Sequence, residues 1–142
     1  MISLQNDYSE GAHPSILTLL TQTNLEQSAG YGEDAYCLQA AAYIKQHLQA
    51  PQAAIHFVSG GTQSNTVIIK SILRPHEAVI AAQSGHIAVH ETGAIEATGH
   101  KVITMPVGNH GKLTPDAVHA AVTTHTDEHM VKPRMVYISQ TT

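Results

Sequence analysis

The stretch Ala54–Leu73, AIHFVSGGTQSNTVIIKSIL, decides the fold. Its apolar run at 54–58 has the length of a buried strand, and residues 62–73 place apolar side chains at helical spacing. Gly60 and Gly61 stand between the two. A strand that turns through glycines into a helix is the repeating step of a layered α/β protein. The turn also invites chemistry. Amides at a helix entrance have no partner within the helix and carry partial positive charge, so they suit a phosphate. Gly60 and Gly61 let the backbone approach such an anion, and Thr62, Gln63 and Ser64 add side-chain donors. A P-loop would need lysine where Gln63 stands, and the G-x-G-x-x-G order of a dinucleotide fingerprint is absent. A turn that merely starts a helix remains the plain alternative.

On the amino-terminal side, Ile16, Leu19, Leu20 and Leu25 lie close to one stripe and predict a helix over 13–27, with Pro14 in its first turn. A turn-rich connector, Gly30–Asp34, leads to a second helix from Glu33, marked by Leu38, Ala41, Ile44 and Leu48 and stopped by Pro51. On the carboxyl side come a strand at 77–81, a helical stretch at 86–97 and a strand at 101–105. A turn at 108–111 follows, then a helix opened by Thr114-Pro115-Asp116 and a last strand at 135–139. Val118, Ala121 and Val122 form that helix's inner face. There is no repeat, low-complexity tract or linker, so one domain is expected. Residues just past a parallel strand line the ligand crevice, and the chain stops there, at Gln140–Thr142.

The composition, 42% apolar and 13% charged over 142 residues, suits a soluble domain with a core. A formal charge of −4 with seven Lys plus Arg removes the electrostatic basis for binding nucleic acid or an anionic membrane. No apolar run nears the ~20 residues of a membrane span, and MISLQNDYSE lacks the features of a signal peptide, so a cytoplasmic location is expected. The single cysteine, Cys37, reads as a small buried hydrophobe of a helix.

Eleven histidines outnumber the lysines and arginines together, which raises the question of metal. On a helix over 86–97, His86 and His90 fall one turn apart on one face. The order is His-x-x-x-His-Glu rather than the His-Glu-x-x-His of zinc proteases, no third ligand stands near, and no metal site is expected. His125, Asp127, Glu128 and His129 read as a solvated helix end. His86 has a second use, as a flat ring beside the anion turn, able to stack on a planar heteroaromatic phosphate.

Six segments carry a resemblance: NDYSEGAHP (6–14), GYGED (30–34), HFVSGGTQSN (56–65), GHIAVHETGAIEATGHK (85–101), GKLTP (111–115) and VYISQTT (136–142). Together they resemble the amino-terminal part of the low-specificity threonine aldolases, in the aromatic amino acid β-eliminating lyase/threonine aldolase family of pyridoxal 5'-phosphate (PLP) enzymes. The resemblance implies an α/β fold, an incomplete three-layer sandwich forming the amino-terminal portion (1–142) of the large, PLP-binding domain of a fold type I, aminotransferase-like enzyme. It implies that Gly60, Gly61, Thr62 and Gln63 hold the PLP phosphate, chiefly through the amides of Gly61 and Thr62. His86 would stack on the PLP ring and take part in proton transfer, and Asn6 and Tyr31 would lie near the substrate. The Schiff-base lysine, the carboxylate for the pyridine nitrogen and an arginine for the substrate carboxylate all belong to segments further along the family's chain. Lysines 45, 70, 101, 112 and 132 match none of those positions. The expectation is a chain truncated before that lysine, with weak or absent PLP binding and no activity alone. Within a complete enzyme it would cleave L-threonine or L-allo-threonine to glycine and acetaldehyde as a homodimer or tetramer. The alternatives are β-elimination from a related amino acid and a non-catalytic structural or dimerising remnant.

Overall fold

The computed structural model describes Asn6 and residues 8–140. They fall into two compact units, divided between Phe57 and Val58.

The first unit is helical. Helix α1 spans Pro14–Thr23, with proline in its first turn and the His13 ring accepting from the Ser15 amide. It is shorter than the apolar stripe suggests. Thr18, Thr21 and Thr23 each bond a carbonyl four residues back, a local competition that weakens helices. The helix ends at Asn24, leaving Leu25 outside it and exposed. Helix α2, Ala35–His47, is capped by the Asp34 carboxylate, which accepts from the Cys37 amide at 2.9 Å. Cys37 is half-buried in that first turn rather than a core residue. Its bond to Asp34 pushes the thiol above its ordinary pKa, with burial and the carboxylate charge adding to the effect, so it is a poor nucleophile. Neither helix buries a residue completely.

The second unit is a three-layer α/β structure. Helix α3 (Gly61–Ile72) leads to strand β1 (Glu77–Ala82), and the short helix α4 (His86–Val89) to strand β2 (Val102–Met105). Helix α5 (Pro115–Thr124) then precedes strand β3 (Lys132–Val136). The strands form a parallel sheet in the order β2-β1-β3. Central β1 reads as a continuous apolar run because both of its faces are covered. Val79 and Ala81 join Ile69 of α3, Leu73 at its C-cap, Ile87 and Ile95 on one face. Ala78 and Ile80 join Ile103 and Ala121 of α5 on the other. Burying a side chain such as Ile80 contributes on the order of 1.5–3 kcal/mol, so this sandwich is the stable heart of the unit.

Three expectations need correction. The apolar run at 54–58 is not a strand of the sheet, which has three strands among the described residues. Strand-prone side chains form a strand only where a partner offers its backbone. The last strand begins earlier than 135, at Lys132, and includes Pro133. It tolerates proline because it pairs on one side only among the described residues, with a register shift that skips Arg134. Past the strand, the Tyr137 amide still bonds the Ile80 carbonyl. The helix predicted over 86–97 stops at Val89; Thr92 (φ 49°) and Gly93 (φ 77°) turn the backbone left-handed, and only a 3-10 turn, Glu96–Thr98, follows. No described helix is long and apolar enough to cross a membrane.

Candidate functional site

The glycine turn forms as expected, with Gly60 capping α3 and Gly61 its first residue. No side chain caps this end, so the first-turn amides keep their capacity for an outside acceptor. Gly60 is extended (φ 176°), Gly61 is not among the left-handed glycines, and a Cβ built on either meets no atom within 4 Å. Neither strain nor packing inside the chain demands glycine here. What remains is approach from outside, which suits a phosphate. Gln63 does something different from Thr62: its Oε1 accepts from the Ser59 amide at 2.7 Å and the Ser59 hydroxyl at 2.8 Å, bracing the turn from within.

His86 opens α4 just beyond the carboxyl end of β1. The entry is tight: the Gly85 amide bonds the Ala82 carbonyl at 2.8 Å, and a Cβ on Gly85 would sit 3.0 Å from that oxygen. The His86 amide donates to Ser139 Oγ at 3.0 Å, tying the helix start to the segment that follows β3. The imidazole is 42% exposed, and its Nδ1 lies 2.8 Å from Glu91 Oε1, on a carboxylate whose side chain is wholly buried. The same oxygen accepts from Asn65 Nδ2 at 2.6 Å, and Asn65 also reaches the Tyr137 hydroxyl at 3.3 Å. Asn65 lies one turn into the helix that the glycine turn begins, so the two halves of the predicted site are linked through Glu91.

A cavity of about 400 Å³ opens at the carboxyl ends of β1 and β3, with Ala82, Gly85, Lys112, Tyr137 and Ser139 among its walls. Parallel sheets keep their ligand crevice at this edge. Thr141 and Thr142, expected there as well, lie outside the described residues.

His90 caps the end of α4, with its ring centroid 5.5 Å from that of His86 and tilted by 54°. Among the described residues no group of three or more His, Cys, Asp or Glu is placed to hold a metal ion. Asn6 and Tyr31 belong to the first unit. The Asn6 side-chain oxygen accepts from the amides of Tyr8 and Ser9 and from the Ser9 hydroxyl, and Tyr31 is fully exposed at a positive φ of 62°.

Sequence reasoning missed Asn65, Glu91, Tyr137 and Ser139 as members of the site. On an unbroken helix Glu91, five residues after His86, would point about 140° away from it. The helix instead ends at Val89, and the non-helical His90 (φ −124°, ψ 12°) brings the carboxylate back to the ring.

A parallel sheet covered by helices on both faces, with an open helix entrance and a tethered imidazole at its carboxyl edge, defines a layered α/β scaffold of the class that keeps its ligand crevice at that edge. A family model for beta-eliminating lyases matches residues 11–142, and the chain belongs to that family. It is 27% identical over 139 residues to the low specificity L-threonine aldolase of Pseudomonas sp. (strain NCIMB 10558), and 26% identical to that of Pseudomonas aeruginosa. Each match covers 96% of this chain and 40% of the relative. A solved structure of Leishmania major threonine aldolase superposes with a TM-score of 0.91 at 54% identity, covering 96% of this chain and 40% of that one. The chain thus spans about two fifths of the length of these relatives, and its fold is that of a fragment of a fold type I PLP enzyme.

Proposed function

We propose that the chain is part of a PLP-dependent lyase that cleaves L-threonine or L-allo-threonine to glycine and acetaldehyde. The observation that carries this reading is the joint presence of an open glycine turn and the Glu91-tethered His86 within a fold 54% identical to a threonine aldolase. The donor set fits PLP: amides of Gly61 and Thr62 for the phosphate, and the His86 ring for the pyridine face. When bound, PLP supplies an electron sink for the pair left as the Cα–Cβ bond breaks. The chain's own residues then have simple tasks. The helix entrance anchors the anion, Gln63 stiffens the turn through Ser59, and His86 covers the ring. With Nδ1 taken by Glu91, His86 Nε2 is the atom that holds or moves a proton. Asn6 and Tyr31 serve the substrate. The working enzyme is a cytoplasmic homodimer or tetramer.

The 142-residue chain on its own is inactive and holds PLP weakly, because none of its lysines takes the cofactor's aldehyde. Two assays test this. The complete polypeptide should cleave threonine and show the absorbance band of lysine-bound cofactor; the 142-residue chain should do neither. Threonine cleavage by the short chain overturns the claim of inactivity. A complete polypeptide that leaves threonine intact but eliminates at Cβ of a related amino acid establishes the second reading, which the family's beta-eliminating lyase description supports. PLP binding with neither reaction leaves the non-catalytic structural or dimerising role.

A further inference from the structure

We infer that Glu91 is the positioning residue of His86: a buried carboxylate that fixes the imidazole as its Nδ1–H tautomer and leaves Nε2 as the basic nitrogen. The catalytic consequence rests on the threonine-cleaving reading; the tautomer does not. Glu91 has a wholly buried side chain, and a buried carboxylate persists only where it is hydrogen-bonded. Its Oε1 is shared by His86 Nδ1 at 2.8 Å and Asn65 Nδ2 at 2.6 Å, while Oε2 has no partner among the described residues. It caps no helix and bonds no backbone amide among the described hydrogen bonds. What it holds is the histidine, and Asn65 holds it in turn.

The chemistry follows from the inventory of groups. An ionised carboxylate only accepts, so the proton between it and the ring belongs to Nδ1. In the neutral imidazole Nε2 then carries the lone pair. The backbone is shaped to permit this. Helix α4 ends after four residues, and His90, which leaves the helical region at φ −124° and ψ 12°, turns the following Glu91 off the helical path and back toward the ring. Asn65 adds a selection of its own, because its Nδ2 points a donor at Oε1 and so favours a charged acceptor there.

The test uses the complete polypeptide containing this chain. Long-range ¹H–¹⁵N spectra of the cofactor-free protein, with the His86 signal assigned by its loss in His86→Asn, should show a protonated Nδ1 and a bare Nε2 in the neutral ring. Glu91→Ala should shift His86 toward the Nε2–H form. It should also lower kcat for threonine cleavage by about tenfold to hundredfold with KM changed far less, a cost of the size seen when a metal-bound histidine loses its orienting carboxylate. Glu91→Gln keeps the shape and an acceptor oxygen, so it should retain most of the Nδ1–H form and recover part of kcat. That variant also carries the test should Glu91→Ala not fold. An unchanged tautomer in Glu91→Ala, or wild-type kcat despite a changed tautomer, overturns the positioning role. Loss of the Nδ1–H form in Glu91→Gln equal to that in a folded Glu91→Ala also overturns it, as does a wild-type His86 that is not Nδ1–H. Should the wild type cleave no threonine yet show the Glu91-dependent tautomer, the lyase reading falls and the pairing stands.

Discussion

His86 is held by one ring nitrogen and its own amide, and the rest of the ring is partly open, so its value lies in what it touches rather than in the stability it adds. In the complete polypeptide, His86→Ala should weaken PLP retention by roughly fivefold, the equivalent of a stacking face of about 1 kcal/mol, and should slow threonine cleavage. Equilibrium dialysis against PLP and an acetaldehyde assay measure both effects; unchanged affinity and turnover would remove the residue from the site. His90→Ala should cost less, because His90 meets His86 at a 54° tilt with ring centroids 5.5 Å apart and caps the end of a short helix. His86 was readable in the sequence because it directly follows an apolar strand pattern and a glycine. Glu91 was not. Its role depends on where a helix stops, and boundaries are the part of a helix that periodicity encodes least.

The glycine turn is the element in which folding and the proposed phosphate binding separate. Because Gly61 has open space around it and no left-handed φ, Gly61→Ala should leave stability unchanged or raise it by up to about 1 kcal/mol, alanine being the better helix former. The same methyl group intrudes where an anion would approach, and PLP affinity should fall by about tenfold or more, roughly 1.4 kcal/mol. Urea unfolding and PLP titration of one variant read the two effects; a stability loss with intact PLP affinity would return the turn to a purely structural role. Strand β1 makes a prediction in pH. The Arg74 amide donates to Glu77 at 2.9 Å and holds its carboxyl below the ordinary 4.5, helped by the charge of Arg134. The unfolded chain therefore binds that proton more tightly. Glu77 stabilises the fold fully above 4.5, and the contribution is lost as pH falls through the lower folded value. Unfolding midpoints across the acid range should converge for wild type and Glu77→Gln; parallel curves would mean that Glu77 contributes nothing. The strand pattern at 77–81 and the Thr-Pro-Asp helix start were legible because each is a local rule. Strand β3 was misplaced because proline and flanking charges hide a strand that pairs on one side only among the described residues.

At the scale of the whole molecule, the second unit has a closed core on each face of its sheet, while the first buries no helical residue completely. Ile16, Leu17, Leu19 and Leu20 are each at least half exposed on α1, an apolar cluster of the kind that marks an association surface. The 142-residue chain alone should therefore self-associate at concentrations of about 10–100 μM, and sedimentation velocity should show the weight-average mass rising with concentration. A paired Leu17→Glu and Leu20→Lys change should reduce the association; a wild-type chain that stays monomeric sinks the expectation. Taken alone, the sequence determined the layered α/β class, the glycine entrance and His86, because each is written in neighbouring residues: a period, a turn, a cap. Tertiary structure alone decided what holds the histidine. The Asn65–Glu91 and Asn65–Tyr137 bonds join residues 26 and 72 positions apart, and no local periodicity encodes which distant side chains a folded sheet brings together.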